Sequence, residues 1–480
     1  MDNEKIKSIH SRYNPRGEAE RYIDSLELKK GVRFFILIEP GFGYIIDPLR
    51  KKAPDAKIIV LHAGEIGCAA RETPDSEWKP GTGISVEEFL EREIPDSEAA
   101  EIRILEWRPA LSVYGRAYLS LVEETAEFIK RSDANTRTLK VFGRSWFRNF
   151  LNNLTIFRKF ICPFRLSIPL VITGAGPGLE EVMPLLRKET SRGGLFVLAV
   201  SSSAPALEAG GIAPNMVIST DGGGWAKFHL YEGFRQGKEP EGSERTCPLA
   251  AAMIAAIPSQ YAARPIMPIS DGSLWQTLIL NKSGIPHITL PQRGTVTASA
   301  LDLAFALTDN RIYIAGIDLA NRDIRSHARP YSFDRFLEEK EARLNPVYSQ
   351  TFKRSSMIKE GGSFNIYASW FGKQLSAYPK RLFSLGSNNP LFSSIETSRI
   401  ESGPSIDMPE FRTISAEGVF KKKALEILEP ALRNPGQAEQ LCKELGAMLF
   451  PGSKKVSADE IIDAIRGTAG QWERGPIYHG

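Results

Sequence analysis

Four cysteines in 480 residues, Cys68, Cys162, Cys247 and Cys442, stand far apart and form no CxxC pair. That fits reduced thiols in the cytosol better than a disulfide framework or a zinc site. No apolar run approaches the roughly 20 residues that cross a bilayer, and the opening MDNEKIKSIHSRYNPRGEAER lacks an apolar signal core. A cytoplasmic location with no membrane span is therefore expected. The net charge is only +4, from 61 basic and 57 acidic residues spread along the chain, so nucleic acid is not an expected partner. No glycine turn ends in Gly-Lys-Ser/Thr, which removes the phosphate-cradling lysine of a P-loop ATPase or GTPase. The dinucleotide fingerprint is missing too, because its third glycine falls on Leu179. The strand-like LFVLAV that follows ends in Ser201, Ser202 and Ser203, not in the acid that would hold an adenosine ribose. There is no internal repeat and no low-complexity segment.

What is present centres on VITGAGPGLEEVMPLL, Val171 to Leu186. An apolar run turns on Gly174, Gly176, Pro177 and Gly178, and Leu179, Val182, Met183 and Leu186 then recur at helical spacing. A strand, a glycine turn and a helix start present backbone amides and the positive end of a helix dipole to an anion. The expected occupant is a nucleotide phosphate; the plainer alternative is an ordinary strand-to-helix turn of an α/β domain.

The length allows two or three domains. Residues 1–30 read as a polar lead-in and a helix, and 31–145 as a small Rossmann-like domain built on VRFFILIEPGFGYIIDPL and KIIVLHAG. Glu39, Gly41 and Gly43 loosely match the acid-x-Gly-x-Gly of methyltransferases that bind S-adenosylmethionine; a structural or acceptor-docking domain is the favoured reading. RSWFRNFLNNLTIFRKF predicts an amphipathic helix that connects domains. Residues 146–406 form the expected catalytic domain. The tail, 407–480, is helical, with a capping box at Ser457 and Glu460, and reads as a module that docks a partner. The fold class is thus α/β, a Rossmann-like central domain with a smaller α/β domain before it and helices after it.

Within the central domain, strand ends carrying Asp, Ser or Gly predict one lined crevice. They are Ser202 and Ser203, Asp221 with Gly222, Asp271, and Asp318. Thr295 and Thr297 fall at a helix N-terminus, where hydroxyls cap and amides bind anions. His327 lies between Arg325 and Arg329 in a polar loop, which makes an anionic ligand plausible, and His229 follows Asp221 in a helical segment. An imidazole, with an ordinary pKa near ~6.5, suits acceptance of a hydroxyl proton. His327 ranks first as general base, His229 second, with Asp318 or Asp221 to orient it; a purely structural role for both histidines is the alternative.

These landmarks together resemble the motility accessory factor family, flagellin glycosyltransferases with a sialyltransferase-like central domain, whose domain family includes the MptE-like 6-hydroxymethylpterin diphosphokinases. The resemblance rests on the GxGP turn at Gly174–Pro177, on Gly211–Pro214 leading to Asp221, on RGTVTASALDLAFAL, and on Gly316, Asp318 and Leu319 with His327 following. It also takes in NTRTLKVFGRSWFRNFLNNL and the GFGY turn, and so covers roughly 30–400. Two positions depart from the family pattern: Gly178 stands where a serine is usual, and Asn215 where an aspartate is. The resemblance implies transfer of a nonulosonic sugar from a CMP-activated donor to Ser or Thr of flagellin, with no metal or other cofactor required. The alternatives are an MptE-like diphosphokinase using ATP, with Mg²⁺ on Asp221 and Asp318, and a non-catalytic flagellin-binding factor.

Overall fold

The computed structural model describes residues 9–28, 31–64, 73–94, 96–235, 247–319, 325–360, 370–372, 374, 378, 380–386, 400, 411–415, 421–453 and 456–470. Cys68 and most of the helix expected over NIYASWFGKQLSAY lie outside them. The chain forms two compact units, Met1–Val141 and Phe142–Gly480.

The first unit is a parallel sheet of β1 (Phe34–Ile38), β2 (Lys57–Leu61), β3 (Ser76–Trp78) and β4 (Ile102–Glu106), ordered β3-β2-β1-β4. FFILI is apolar throughout because helices cover both faces of a central parallel strand, and all five of its residues are buried. Asn14 and Ser85 cap the helices Pro15–Asp24 and Val86–Glu93, accepting from Gly17 and Glu88 backbone amides. His10, 7% exposed, accepts from the Phe42 amide at 3.0 Å through Nε2. Burial holds its pKa below the usual 6.5, against the weaker pull of Glu18 and Glu39. The unfolded chain therefore takes up this proton first, so the stability is whole above about pH 6.5 and declines as the pH falls below it. Melting near pH 7.5 and 5.5 should show a larger loss in the wild type than in His10→Gln.

The second unit holds a larger sheet of β5 (Lys159–Ile161), β6 (Leu170–Thr173), β7 (Phe196–Val200), β8 (Met216–Ser219), β9 (Leu249–Ala252), β10 (Ile266–Ser270), β11 (Ile288–Thr289), β12 (Ile312–Ala315), β13 (Leu382–Ser384) and β14 (Thr413–Ser415). Its order is β13-β12-β6-β7-β8-β9-β10-β5-β14, with β11 beside β10, and only β14 runs antiparallel. The chain steps from β6 to β10 in one direction and then places β12 on the other side of β6. The reversal between β6 and β12 is the topological switch point, where open α/β sheets receive their ligands. β9 and the short β5, whose Lys159 and Phe160 fall in the stretch read as an amphipathic helix, are core strands that the sequence does not announce.

The tail is three helices, Lys421–Leu432, Pro435–Leu449 and Ala458–Gly470. They pack on one another and on the helix Leu274–Lys282, burying Leu428, Leu432, Leu441 and Leu445. Glu444 fastens them, accepting from the Leu274 and Trp275 amides at 3.2 Å each, as a helix N-cap would. These helices, the helical tail expected from residue 407, are grouped with the second unit. Among the described residues no helix is long and apolar enough to cross a membrane.

Candidate functional site

Two glycine segments meet at the switch point. Gly174 N donates to Ala315 O at 2.7 Å, Gly176 N to Gly316 O at 2.7 Å, and Gly178 N to Asp318 Oδ2 at 2.9 Å. A Cβ on Gly174 would collide with the Gly316 carbonyl, and one on Gly176 or Gly178 with the Asp318 carboxylate. This corrects the reading of the turn as a phosphate cradle. The Gly174, Gly176 and Gly178 amides are spent inside the protein, and Pro177 has none to give. The Asp318 carboxylate occupies the anion's place at the start of the helix Leu179–Ser191, where the dipole favours negative charge. Ser203 is also internal: its hydroxyl donates to the Thr173 or Val200 carbonyl and meets Thr173 Oγ1 at 3.0 Å, pinning β6 to the loop after β7. Ser202 beside it is half-buried.

The loop after β12 lies on the turn, with Ala328 N donating to Ala175 O at 2.7 Å. Arg325 and Arg329, expected to face an anionic donor, have partners here. Arg325 binds Glu180 at 3.1 and 3.3 Å, while Arg329 gives its amide to Glu180 at 3.0 Å and sets its guanidinium 3.8 Å from Asp334. Their charges hold the loop to the protein. In the same loop His327 pairs through Nδ1 with Ser326 Oγ at 2.7 Å and stacks on Tyr331, ring centroids 3.9 Å apart. His229, from the helix Lys227–Arg235, reaches the same tyrosine at 5.6 Å and pairs through Nδ1 with Ser332 Oγ at 3.2 Å. The two histidines singled out in the sequence therefore share one aromatic cluster. Trp225, 60% exposed, stacks on Phe228 at its edge.

Asp221 is exposed at the end of β8, its Oδ1 accepting from Gly223 N at 2.7 Å. Gly222 leaves no room for a side chain under Trp146. Two residues of the helix Arg116–Ile156 clamp this edge, and neither is a candidate by its sequence context. Asn149 donates to the Gly222 and Ile254 carbonyls at 3.0 Å, and Asn153 to those of Met253 and Ala255 at 2.9 Å. They sit one turn apart among the buried Phe150, Leu151 and Leu154, a position where amides had to find partners. Asn153→Ala should cost about 1–3 kcal/mol, because two buried carbonyls lose their donors; a lowered urea midpoint with unchanged m-value would show it.

Asp271 does not join this group. Its carboxylate accepts from Ser273 N at 2.9 Å and Gln292 Nε2 at 2.8 Å, and β10 lies four strand spacings, roughly 19 Å, from β6. Thr295 does, since the helix Val296–Leu307 returns against β6 and β7 and so begins at their carboxyl edge. Its hydroxyl accepts from Ala298 N at 3.1 Å, the expected cap, and Thr297 is half-buried one residue into the helix. Asp221 and Asp318 leave strands three spacings apart, roughly 14 Å, and Asp318 is committed to the turn. That pair does not converge on one Mg²⁺, and among the described residues no group of three His, Cys, Asp or Glu could hold a metal.

Comparison with known proteins bears on this region. The family model described as 6-hydroxymethylpterin diphosphokinase MptE-like matches residues 145–323. That match takes in β5 to β12, the glycine turn, His229 and Asp318, and stops short of His327. An uncharacterized protein of Treponema pallidum (strain Nichols) is 28% identical over 292 residues, 60% of this chain and 61% of that relative's length. Among solved structures, a MAf glycosyltransferase from Magnetospirillum magneticum AMB-1 aligns over 96% of this chain and 83% of its own, at 11% identity and a TM-score of 0.49.

Proposed function

We propose that the protein is a glycosyltransferase that moves a nonulosonic sugar from a CMP donor to a Ser or Thr hydroxyl of flagellin or a flagellin-like protein. The observation that carries this reading is the convergence of His327 and His229 on Tyr331 beside the switch point. The acceptor oxygen attacks the anomeric carbon, its proton passes to an imidazole, and the bond to the CMP phosphate oxygen breaks with the electron pair leaving on CMP. Charge building on that phosphate needs positive ends aimed at it. With the Gly174, Gly176 and Gly178 amides spent, the Thr295–Thr297 segment takes the part, for the first amides of a helix carry no intrahelical partner. Ser202 and Asp221 lie along the same edge for the nucleoside, and the exposed Trp225 and Phe228 offer the acceptor an apolar surface. Asp318 holds the turn that supports the histidine loop.

The description of the MptE-like family favours a second reading, transfer of diphosphate from ATP to a pterin alcohol. It asks for a Mg²⁺ site that Asp221 and Asp318 are poorly placed to form. Titration calorimetry with CMP and ATP, each with and without Mg²⁺, separates the readings. Metal-independent CMP binding is expected; Mg²⁺-dependent ATP binding alone would overturn the transferase in favour of the kinase. No binding of either would favour a non-catalytic flagellin-binding factor.

A further inference from the structure

The amino-terminal unit has a switch point of its own. Its chain runs β1, β2, β3 to one side and puts β4 on the other, so the reversal falls between β1 and β4. The first residue beyond β1 is Glu39, fully buried and held at φ +43°, a conformation that side chains other than glycine avoid. One carboxylate oxygen, Oε2, accepts from Ala63 N at 2.6 Å. The other, Oε1, has no hydrogen-bond partner; His62 Nδ1 stands 3.6 Å away. His10 uses Nε2 to accept from Phe42 N, so in the neutral ring Nδ1 carries the proton, and that buried N–H has no acceptor. The Tyr118 hydroxyl, also buried, has no partner either.

These three orphaned groups belong to one place. The Glu39 charge acts on both His10 and Tyr118. Trp107, next to Glu39 across the β1–β4 pairing, donates to Ile38 O and lies 5.6 Å from the His10 ring. Phe42 and Tyr44, both half-buried, complete an aromatic wall 5.7 and 5.0 Å from the same ring. Gly41 is there to admit His10, whose Nε2 a Cβ would strike.

Buried polar groups in native proteins are satisfied, so three orphans beside a switch point define the chemistry of a partner. An acceptor carboxylate beside an N–H donor and a phenol matches adjacent hydroxyls, each of which gives and receives a hydrogen bond. The aromatic wall matches a flat ring. The carboxylates of Glu39 and Glu106 oppose a phosphate. We infer that the amino-terminal unit binds an uncharged nucleoside here, its ribose hydroxyls on Glu39, His10 and Tyr118 and its base against Phe42, Tyr44 and Trp107. This site is separate from the CMP site proposed for the second unit, and neither depends on the other.

The full chain is to be titrated with adenosine, guanosine, cytidine and uridine by calorimetry, as wild type, Tyr118→Phe and Glu39→Gln. At least one nucleoside should bind, and each substitution should weaken it at least about tenfold while the CMP titration stays as in the wild type. Tyr118→Phe removes only a hydroxyl without a partner, so without ligand it should melt at or above the wild-type temperature, which guards against misfolding as the cause. If no nucleoside binds the wild type, or if Tyr118→Phe binds it as tightly as the wild type, the orphaned groups hold ordered water and the inference is overturned.

Discussion

His327→Ala should lower turnover by roughly a hundredfold or more while the donor binds almost as tightly as before, since a positioned base acts on the reacting proton and not on the nucleotide. His229→Ala should cost less. His229 lies farther from Tyr331, at 5.6 Å against 3.9 Å for His327, and is tied to Ser332, so its removal loosens the cluster that holds His327. Steady-state kcat alongside a separate Kd for CMP distinguishes chemistry from binding. Full activity in His327→Ala with loss in His229→Ala would exchange their roles, and full activity in both would take histidine out of the mechanism.

A second large effect is expected at the glycine turn, on stability. Gly176→Val forces a branched side chain into the Asp318 carboxylate and leaves its Cβ 2.8 Å from the Gly316 carbonyl oxygen. Since the backbone there cannot yield without breaking the pairing of Gly174 and Gly176 with Ala315 and Gly316, the cost should reach about 3 kcal/mol or more. Asp318→Ala alone loses the hydrogen bond to Gly178 N and should cost about 1–2 kcal/mol. The double substitution should recover part of the loss, because the carboxylate is gone while the carbonyl remains. Chemical denaturation of all four proteins as a double-mutant cycle measures that coupling. Additive losses would mean that the glycine and the aspartate do not meet.

The cycle also bears on what the sequence could reveal. The glycine spacing, the strand before it and the helix after it were plain from residue order, because punctuation by glycine and the change of hydrophobic period are local signals. Whether the turn faces a ligand or a carboxylate of the same chain was not. Gly176 and Gly178 look the same in either case, and Asp318 arrives 140 residues later. β9 was hidden for another reason: LAAA has the residues of a good helix, and only burial between β8 and β10 makes it a strand. The neighbours β7, β8 and β12, rich in Val, Ile and Phe, declared themselves. The cap at Thr295 was legible because capping is local. The approach of His229 to His327 and the clamp of Asn149 and Asn153 are contacts between distant segments, and no spacing rule encodes them. Arg325 and Arg329 read as ligand-seeking charges until Glu180 and Asp334, on other elements, supplied their partners.

The central claim, transfer of a sugar to a flagellin-like acceptor, is tested most directly by the intact mass of flagellin isolated from cells with and without this protein. The account predicts that flagellin from cells lacking it is lighter by whole multiples of one nonulosonic residue, and that the wild-type gene restores the mass while His327→Ala does not. Identical masses with and without the protein would contradict it.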